Sequence, residues 1–536
     1  MNHKKIIFFV LTLLAGIYIF WPANDFQLYL AQGDHGRDLY SFKKTFEGAV
    51  PHRDFSTSNG PLMLYYYSFF YKIFGVSIQS TILGYNILVI LAGILIYFCG
   101  LILVSAPFAF LCALWYWTSR TGEFFYTYNH IGAIALVLTM VYFILKYLRN
   151  SNDSAIYQGA FFSFLLCLIR PNIGISSLAV FLLSAMIFDI VKQKPFLLRS
   201  IMRYGFVSFV IFLAVFLVYS AIFFHLPKHF IFDDLSYFNS LKSYKSSSST
   251  SFQAIVMLYE QILNGFSISW PRLFLNSAFV FCLLKSLQAL KNGPFSREEK
   301  QNFLLSCMVL VFFLISSLHE FLLSAIPFRS HWTISLTPLI VIFIFYQGVR
   351  DLSKFIRSLL WVTLFIVCFL GITNYRNFVV ASKKPQNMLQ VGANKVYLSS
   401  NQKEWIQTVT DANRFIVKNV PRGEKIIAIP SDSIYYFLSG HDRAVRESDF
   451  HGFNGQREQN VINDLERTKI NFIILSNRAL RPTEAQMMGI MGVDYGLALL
   501  AYIERNFNEM AVFGPWEKPA GWVTNHAVKI FKRKNL

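Results

Sequence analysis

Between Ile6 and Thr373 the chain repeats one pattern, a run of roughly twenty predominantly apolar residues followed by a short polar or basic segment. Hydrocarbon offers no water to peptide groups, so such a chain satisfies its backbone internally as helices that cross a bilayer. Candidate spans fall at 6–21, 80–99, 101–118, 131–148, 155–170, 173–190, 204–224, 273–290, 302–318, 332–347 and 358–373, about eleven in all. Of the 536 residues 54% are hydrophobic, 17% aromatic and only 15% charged. That is far too apolar for a soluble chain of this length.

The loops set the orientation. Lys4-Lys5 before Ile6–Phe20 resembles a signal peptide, but no small-residue cleavage site precedes Trp21-Pro22, so this is read as an uncleaved first span with a cytoplasmic N-terminus. The formal charge of +19 gathers in short loops, at Lys146/Arg149, Lys192/Lys194/Arg199/Arg203, Lys285/Lys291/Arg297/Lys300 and Arg350/Lys354/Arg357. That matches the bias of basic residues toward cytoplasmic loops, whereas a nucleic-acid binder concentrates them on one folded face. No nucleic-acid partner is expected. An odd span count then exports the first loop (22–79), a loop at 225–272 and the tail from Asn374. The tight pair between Gln79 and Ser119 is decisive, because one span more or fewer there inverts everything after it.

All six cysteines (Cys99, Cys112, Cys167, Cys282, Cys307, Cys368) lie in apolar stretches, which leaves no disulfide framework or zinc site. The single glycosylation sequon, at Asn152, falls in a loop assigned to the cytoplasm, and the exported tail has none. This favours a bacterial inner or plasma membrane over the endoplasmic reticulum.

In the first loop, Leu62–Phe74 mixes five tyrosine and lysine positions with Leu, Met and Phe over too short a length to span. It reads as an interfacial helix started by Gly60-Pro61. The tail alternates helical and strand patterns: helix Lys403–Val417, strand Lys425–Pro430, helix Val461–Lys469, strand Phe472–Leu475, helix Leu497–Phe507 and strand Ala511–Phe513. The expected fold is therefore a polytopic all-α membrane bundle over 1–373, with a long first exported loop, and a small extracytoplasmic α/β domain over 374–536. The tail has no glycine-rich phosphate loop.

The densest polar constellation is also in the first loop: Gly33-Asp34-His35-Gly36-Arg37-Asp38-Leu39-Tyr40, then Pro51-His52-Arg53-Asp54-Phe55, then Asn59-Gly60-Pro61. A carboxylate just after the first span, the stretch from Gly48 through Pro51 to Asp54-Phe55, a Gly-Pro and an aromatic helix ending Phe74-Gly75 resemble the GT-C glycosyltransferases. The likeness is to the protein mannosyltransferase and aminoarabinose transferase type, and it runs on through Arg170-Pro171 and the exported tail.

That resemblance implies transfer of a sugar from a polyprenyl-phosphate donor to a hydroxyl of a lipid, polysaccharide or protein acceptor on the outer face. The space outside the cytoplasm holds no nucleotide sugars, so a membrane-anchored donor and a membrane-embedded site go together. The acceptor hydroxyl must lose its proton as the glycosidic bond breaks, which suits a carboxylate base. The family's acidic pair places that base at Asp34. This chain has Asp34-His35 instead of two adjacent acids, so Asp38, one turn later on the same helix face, is the substitute candidate. The plainer reading of either is a helix cap.

Asp54 either orients the acceptor or holds His52 and Arg53 in a loop ion pair. Arg170 and Arg329, near outer span ends, suit a phosphate leaving group or simply snorkel to the interface. His331 offers a further bond, and Glu123 stands in a patch with Tyr126, Tyr128, Asn129 and His130 that would line the acceptor side. Asp34, His35 and Asp38 match no metal motif, so no metal or other cofactor is expected. Two rivals are a glycan polymerase or ligase, which carries its large exported loop late between spans, and a lipid-linked-sugar flippase or transporter, which shows repeated halves absent here.

Overall fold

The structure is a computed structural model. It describes residues 3–21, 25–28, 30–31, 33–57, 60–120, 128–192, 197–223, 284–285, 288, 296–324, 335–349, 353–447, 449–450, 452–480, 489–521 and 523–534. The expected loop at 225–272, nearly all of the expected span at 273–290, and Glu123, Arg329 and His331 lie outside these residues.

The chain is mostly helical. In order the helices are α1 (His3–Phe20), α2 (Gly33–Phe46), α3 (Pro61–Phe74), α4 (Ile78–Leu103), α5 (Ala106–Arg120), α6 (Tyr128–Asn150), α7 (Ser154–Cys167), α8 (Pro171–Val191), α9 (Leu197–Leu217), α10 (Arg297–Ser324), α11 (Thr337–Gly348), α12 (Lys354–Ser382), α13 (Lys403–Asn419), α14 (Ile434–Ser439), α15 (Gln456–Arg467) and α16 (Leu497–Asn506). Among the described residues, seven helices are long and apolar enough to cross a membrane: α1, α4, α6, α8, α9, α10 and α12. Three shorter apolar helices, at 106–118, 154–167 and 337–348, accompany them. A chain built this way is a multi-pass membrane protein.

Two compact units emerge, and neither is one continuous piece of sequence. The first takes Met1–Ala23 and Tyr85–Phe378, and the second takes Asn24–Gly84 with Val379–Leu536. In the first unit α6, α7 and α8 pack as successive neighbours, α10 lies on α8 and α6, and α5 touches both α1 and α11. Pro171 sits at the first position of α8, where its missing N–H costs nothing, and Arg170 before it is extended (φ −145°, ψ 99°).

At the other end of α8, buried Asp189 accepts from the hydroxyls of Tyr147 on α6 and Tyr204 on α9, each at 2.6 Å, and lies 3.5 Å from Arg203. A carboxylate inside an apolar bundle must be compensated in this manner.

The second unit holds two sheets. β1 (Phe26–Gln27) pairs parallel with β3 (Asn394–Leu398), whose other edge carries β2 (Met388–Val391) antiparallel. The larger sheet runs β4 (Ile426–Ile429), β5 (Phe472–Ser476), β7 (Val528–Arg533), β6 (Phe507–Phe513), with β4 and β5 parallel and the other pairs antiparallel. β4 and β5 are buried at every position, as their unbroken apolar runs require, and Val461, Leu465, Leu499 and Ile503 from α15 and α16 join that core. The aromatic segment of the first loop is helical as expected, with Pro61 at the first position and Gly75 closing it at φ 82°.

Candidate active site

The carboxylates of the first loop ride on α2, and α2 is fixed from below by the tail. β1 aligns residues 26–27 on β3, and the Tyr397 N–H donates to the Asp25 carbonyl at 2.8 Å. Buried Gln402 then grips the next stretch: its side-chain oxygen accepts from the Ala31 N–H at 2.9 Å and its amide donates to the Leu28 carbonyl. Arg478, just past β5, donates to the Ala31 carbonyl at 2.8 Å and to Asp432 at 2.9 Å. α2 itself meets α14 at a glycine contact, where a Cβ on Gly36 would lie 2.4 Å from the Ile434 nitrogen. The Tyr40 ring packs tilted against Tyr436 (centroids 5.1 Å apart) and its hydroxyl accepts from the Arg443 N–H at 2.9 Å, while Phe42 stacks on Tyr67 of α3 at 4.5 Å.

On that platform the two acids of α2 share one guanidinium. Arg37 donates through Nη1 to Asp34 at 2.7 Å, and through Nε and Nη2 to one oxygen of Asp38 at 3.2 and 3.1 Å. Exposure separates the pair: the Asp34 side chain is 37% exposed and that of Asp38 1%. Asp34 is also in the first turn of α2, where the helix dipole favours an anion. Burial pulls the Arg37 pKa down, but Asp34, Asp38 and Asp449 outweigh it and the net displacement is upward. Buried His35 is pushed down to about 4, chiefly by loss of solvent, so it is neutral near pH 7.

Asp54 lies in the same unit but is occupied locally. Arg53 meets it two-pronged at 2.7 and 2.8 Å, and its Oδ2 accepts the Val50 N–H at 2.8 Å. These bonds hold its carboxyl down at about 2, Arg53 contributing most. They shape a loop that also places His52 at φ 64° and ties its carbonyl to Arg446.

Arg170 belongs to the first unit, where its Nη1 lies 2.8 Å from His130 Nε2 at the start of α6. His130 and Asn129 are buried there. An arginine only donates, so this contact makes Nε2 the acceptor and leaves the ring proton on Nδ1. The structure thus joins Asp34 to Asp38 through Arg37, and Arg170 to His130. Sequence reasoning gave Arg37 no role, although its spacing of three from Asp34 on a helix was a usable signal. Gln402, Asp432 and Arg478 carried no such signal.

No protein-family model matches the chain, and no curated protein matches it by sequence. Solved structures do match. Archaeal oligosaccharyltransferase AglB from Archaeoglobus fulgidus, in complex with an inhibitory peptide and a dolichol-phosphate, aligns with a TM-score of 0.55 at 10% identity over 100% of this chain and 74% of that one. ArnT from Cupriavidus metallidurans bound to undecaprenyl phosphate aligns at 0.54 and 10% identity over 98% and 97%. Arabinofuranosyltransferase AftD from Mycobacteria aligns at 0.50 and 12% identity over 100% and 40%. Identities this low speak to the fold, and at that level the chain shares the architecture of the multi-span GT-C membrane transferases that its first loop resembles.

Proposed function

We propose that this protein is a membrane glycosyltransferase that moves one sugar from a polyprenyl-phosphate carrier to an acceptor hydroxyl at the outer face, with Asp34 as general base. The observation that carries the reading is the division of labour on α2: Asp34 is open to solvent while Asp38 is buried, and Arg37 holds both. A base must reach its substrate, so Asp34 touches the acceptor and Asp38 positions Arg37. The acceptor O–H gives its proton to Asp34 as its oxygen bonds to the anomeric carbon. The bond from that carbon to phosphate breaks with inversion, and polyprenyl phosphate leaves.

Arg170 serves the phosphate in this reading, its guanidinium oriented by His130. Arg329, His331 and Glu123 keep the binding roles expected of them from sequence. Asp54 shapes its own loop, since Arg53 and the Val50 amide already occupy its oxygens. The membrane part carries about eleven spans in all, with the N-terminus cytoplasmic and the tail outside, where it selects the acceptor. The cell is bacterial, and neither metal nor cofactor takes part. The structures of AglB in complex with a dolichol-phosphate and of ArnT bound to undecaprenyl phosphate support a lipid-phosphate carrier here.

The test is transfer by the full chain reconstituted in liposomes. Mass spectrometry of surface glycans from a deletion strain names the missing sugar and hence donor and acceptor. Asp34→Asn is expected to lower transfer by roughly 10²- to 10⁴-fold. Full activity in that variant removes the mechanism, and uptake into sealed vesicles without product points to a flippase instead.

A further inference from the structure

We propose that Arg478 is a positioning residue for the Asp34 helix, setting the turnover number from the carboxyl end of the tail's own sheet. The proposal rests on the reading of Asp34 as the base and adds how that base is held. In open α/β sheets, ligands bind in the crevice beyond the carboxyl ends of parallel strands. Here β4 and β5 are the parallel pair. The chain leaving β4 runs Pro430-Ser431-Asp432, and the chain leaving β5 runs Asn477-Arg478. Against these ends lies not an open crevice but the protein's own first loop. A Cβ on Gly33 would meet Ser431 Oγ at 2.9 Å, and one on Gly36 would meet the Ile434 nitrogen at 2.4 Å.

Arg478 is the one side chain among the described residues that hydrogen-bonds both the segment entering α2 and the segment entering α14. Its side chain is 5% exposed and that of Asp432 2%. One nitrogen, Nη1, is spent on the Asp432 carboxylate and the other, Nη2, on the Ala31 carbonyl, three residues before Asp34. A guanidinium can hold two acceptors in fixed directions, whereas an ammonium is a single point of charge. The fork converts a buried ion pair into a coordinate for the first turn of α2. The tail therefore does more than stand beside the reaction: the strand ends that would hold a ligand in an open sheet hold the base instead.

Arg478→Lys separates positioning from folding, because lysine keeps the charge opposite Asp432 and gives up the second prong. Arg533→Lys is the control: Arg533 forks onto the Ile470 and Leu465 carbonyls from the other end of the same sheet. The full chain in liposomes is assayed with the undecaprenyl-phosphate-linked donor that the deletion strain identifies, and hydrogen exchange is followed for the peptide covering residues 33–46. In Arg478→Lys, exchange of that peptide is expected to rise about tenfold and kcat to fall about 10- to 100-fold, with KM for the donor unchanged. Arg533→Lys is expected to leave both readouts alone.

Exchange and kcat both as in the unaltered protein overturn the proposal, as does an equal loss in Arg533→Lys, which would mark a general effect of weakening the sheet. Should Asp34→Asn retain full transfer, the base assignment fails by itself, and the exchange measurement still decides whether Arg478 holds α2.

Discussion

Replacing Gly36 with alanine tests the link between packing and chemistry most directly. In isolation the change favours folding, since alanine is about 1 kcal/mol better than glycine inside a helix. The contact with α14 opposes it. The new Cβ would sit 2.4 Å from the Ile434 nitrogen and 2.9 Å from its Cα and Cβ, and the nearest of these is backbone that cannot rotate away. Ordinary contact begins near 3.4 Å, so α2 must back off by about 1 Å (3.4 − 2.4). Overpacking of this kind costs about 1–3 kcal/mol, which leaves a net destabilisation of up to about 2 kcal/mol once the helical gain is subtracted.

The functional loss should be larger than the stability loss. Asp34 and Asp38 flank Gly36 two residues to either side, and a displacement of about 1 Å in a reacting group costs on the order of 100-fold in rate. The assays are thermal unfolding of purified protein in detergent and transfer in liposomes. Gly205→Ala is the comparison, because a Cβ there meets nothing within 4 Å, and it should leave stability unchanged or raise it. A Gly36→Ala protein as stable and as active as the unaltered one refutes the reasoning.

Asp54→Ala should change transfer by less than about fivefold, because the ion pair it breaks is exposed; a loss near that of Asp34→Asn, in the same assay, would place Asp54 among the reacting groups. His35 folds with a pKa of about 4 against 6.5 when free, so the unfolded chain takes up its proton first. Its contribution is whole above pH 6.5 and is lost as pH falls toward 4, about 3 kcal/mol in all; His35→Gln should flatten that part of the stability profile, measured by thermal unfolding between pH 4 and 7. Arg170→Gln should weaken binding of undecaprenyl phosphate by about 10- to 100-fold in detergent, and an unchanged affinity would dismiss Arg170 as a phosphate ligand.

Much of this protein was legible along the chain because the physics is local. A run of apolar residues cannot be other than helical in lipid, and a Pro at the start of α3 or α8 marks a helix end wherever it packs. The strands β4 and β5 and the helix α15 before β5 could be read from periodicity alone, while the short helix α14, the hairpin of β2 and β3 and the strand β7 gave too short or too polar a signal. Asp34 and Asp38 were visible as acids one turn apart, but nothing in their order says which is buried.

That difference is decided by what lies against the helix. Residues 24–84 and 379–536 form one compact unit although some three hundred residues separate them, so the platform that holds α2 is built by side chains remote from it in sequence. Gln402 and Arg478 reach Ala31 across separations of 371 and 447 positions, and Asp432 holds Arg478 in turn. Local pattern sets which elements form, because backbone hydrogen bonding and hydration act within a few residues. Only the folded unit sets which carboxylate meets solvent, because burial depends on whatever the rest of the chain brings to that face.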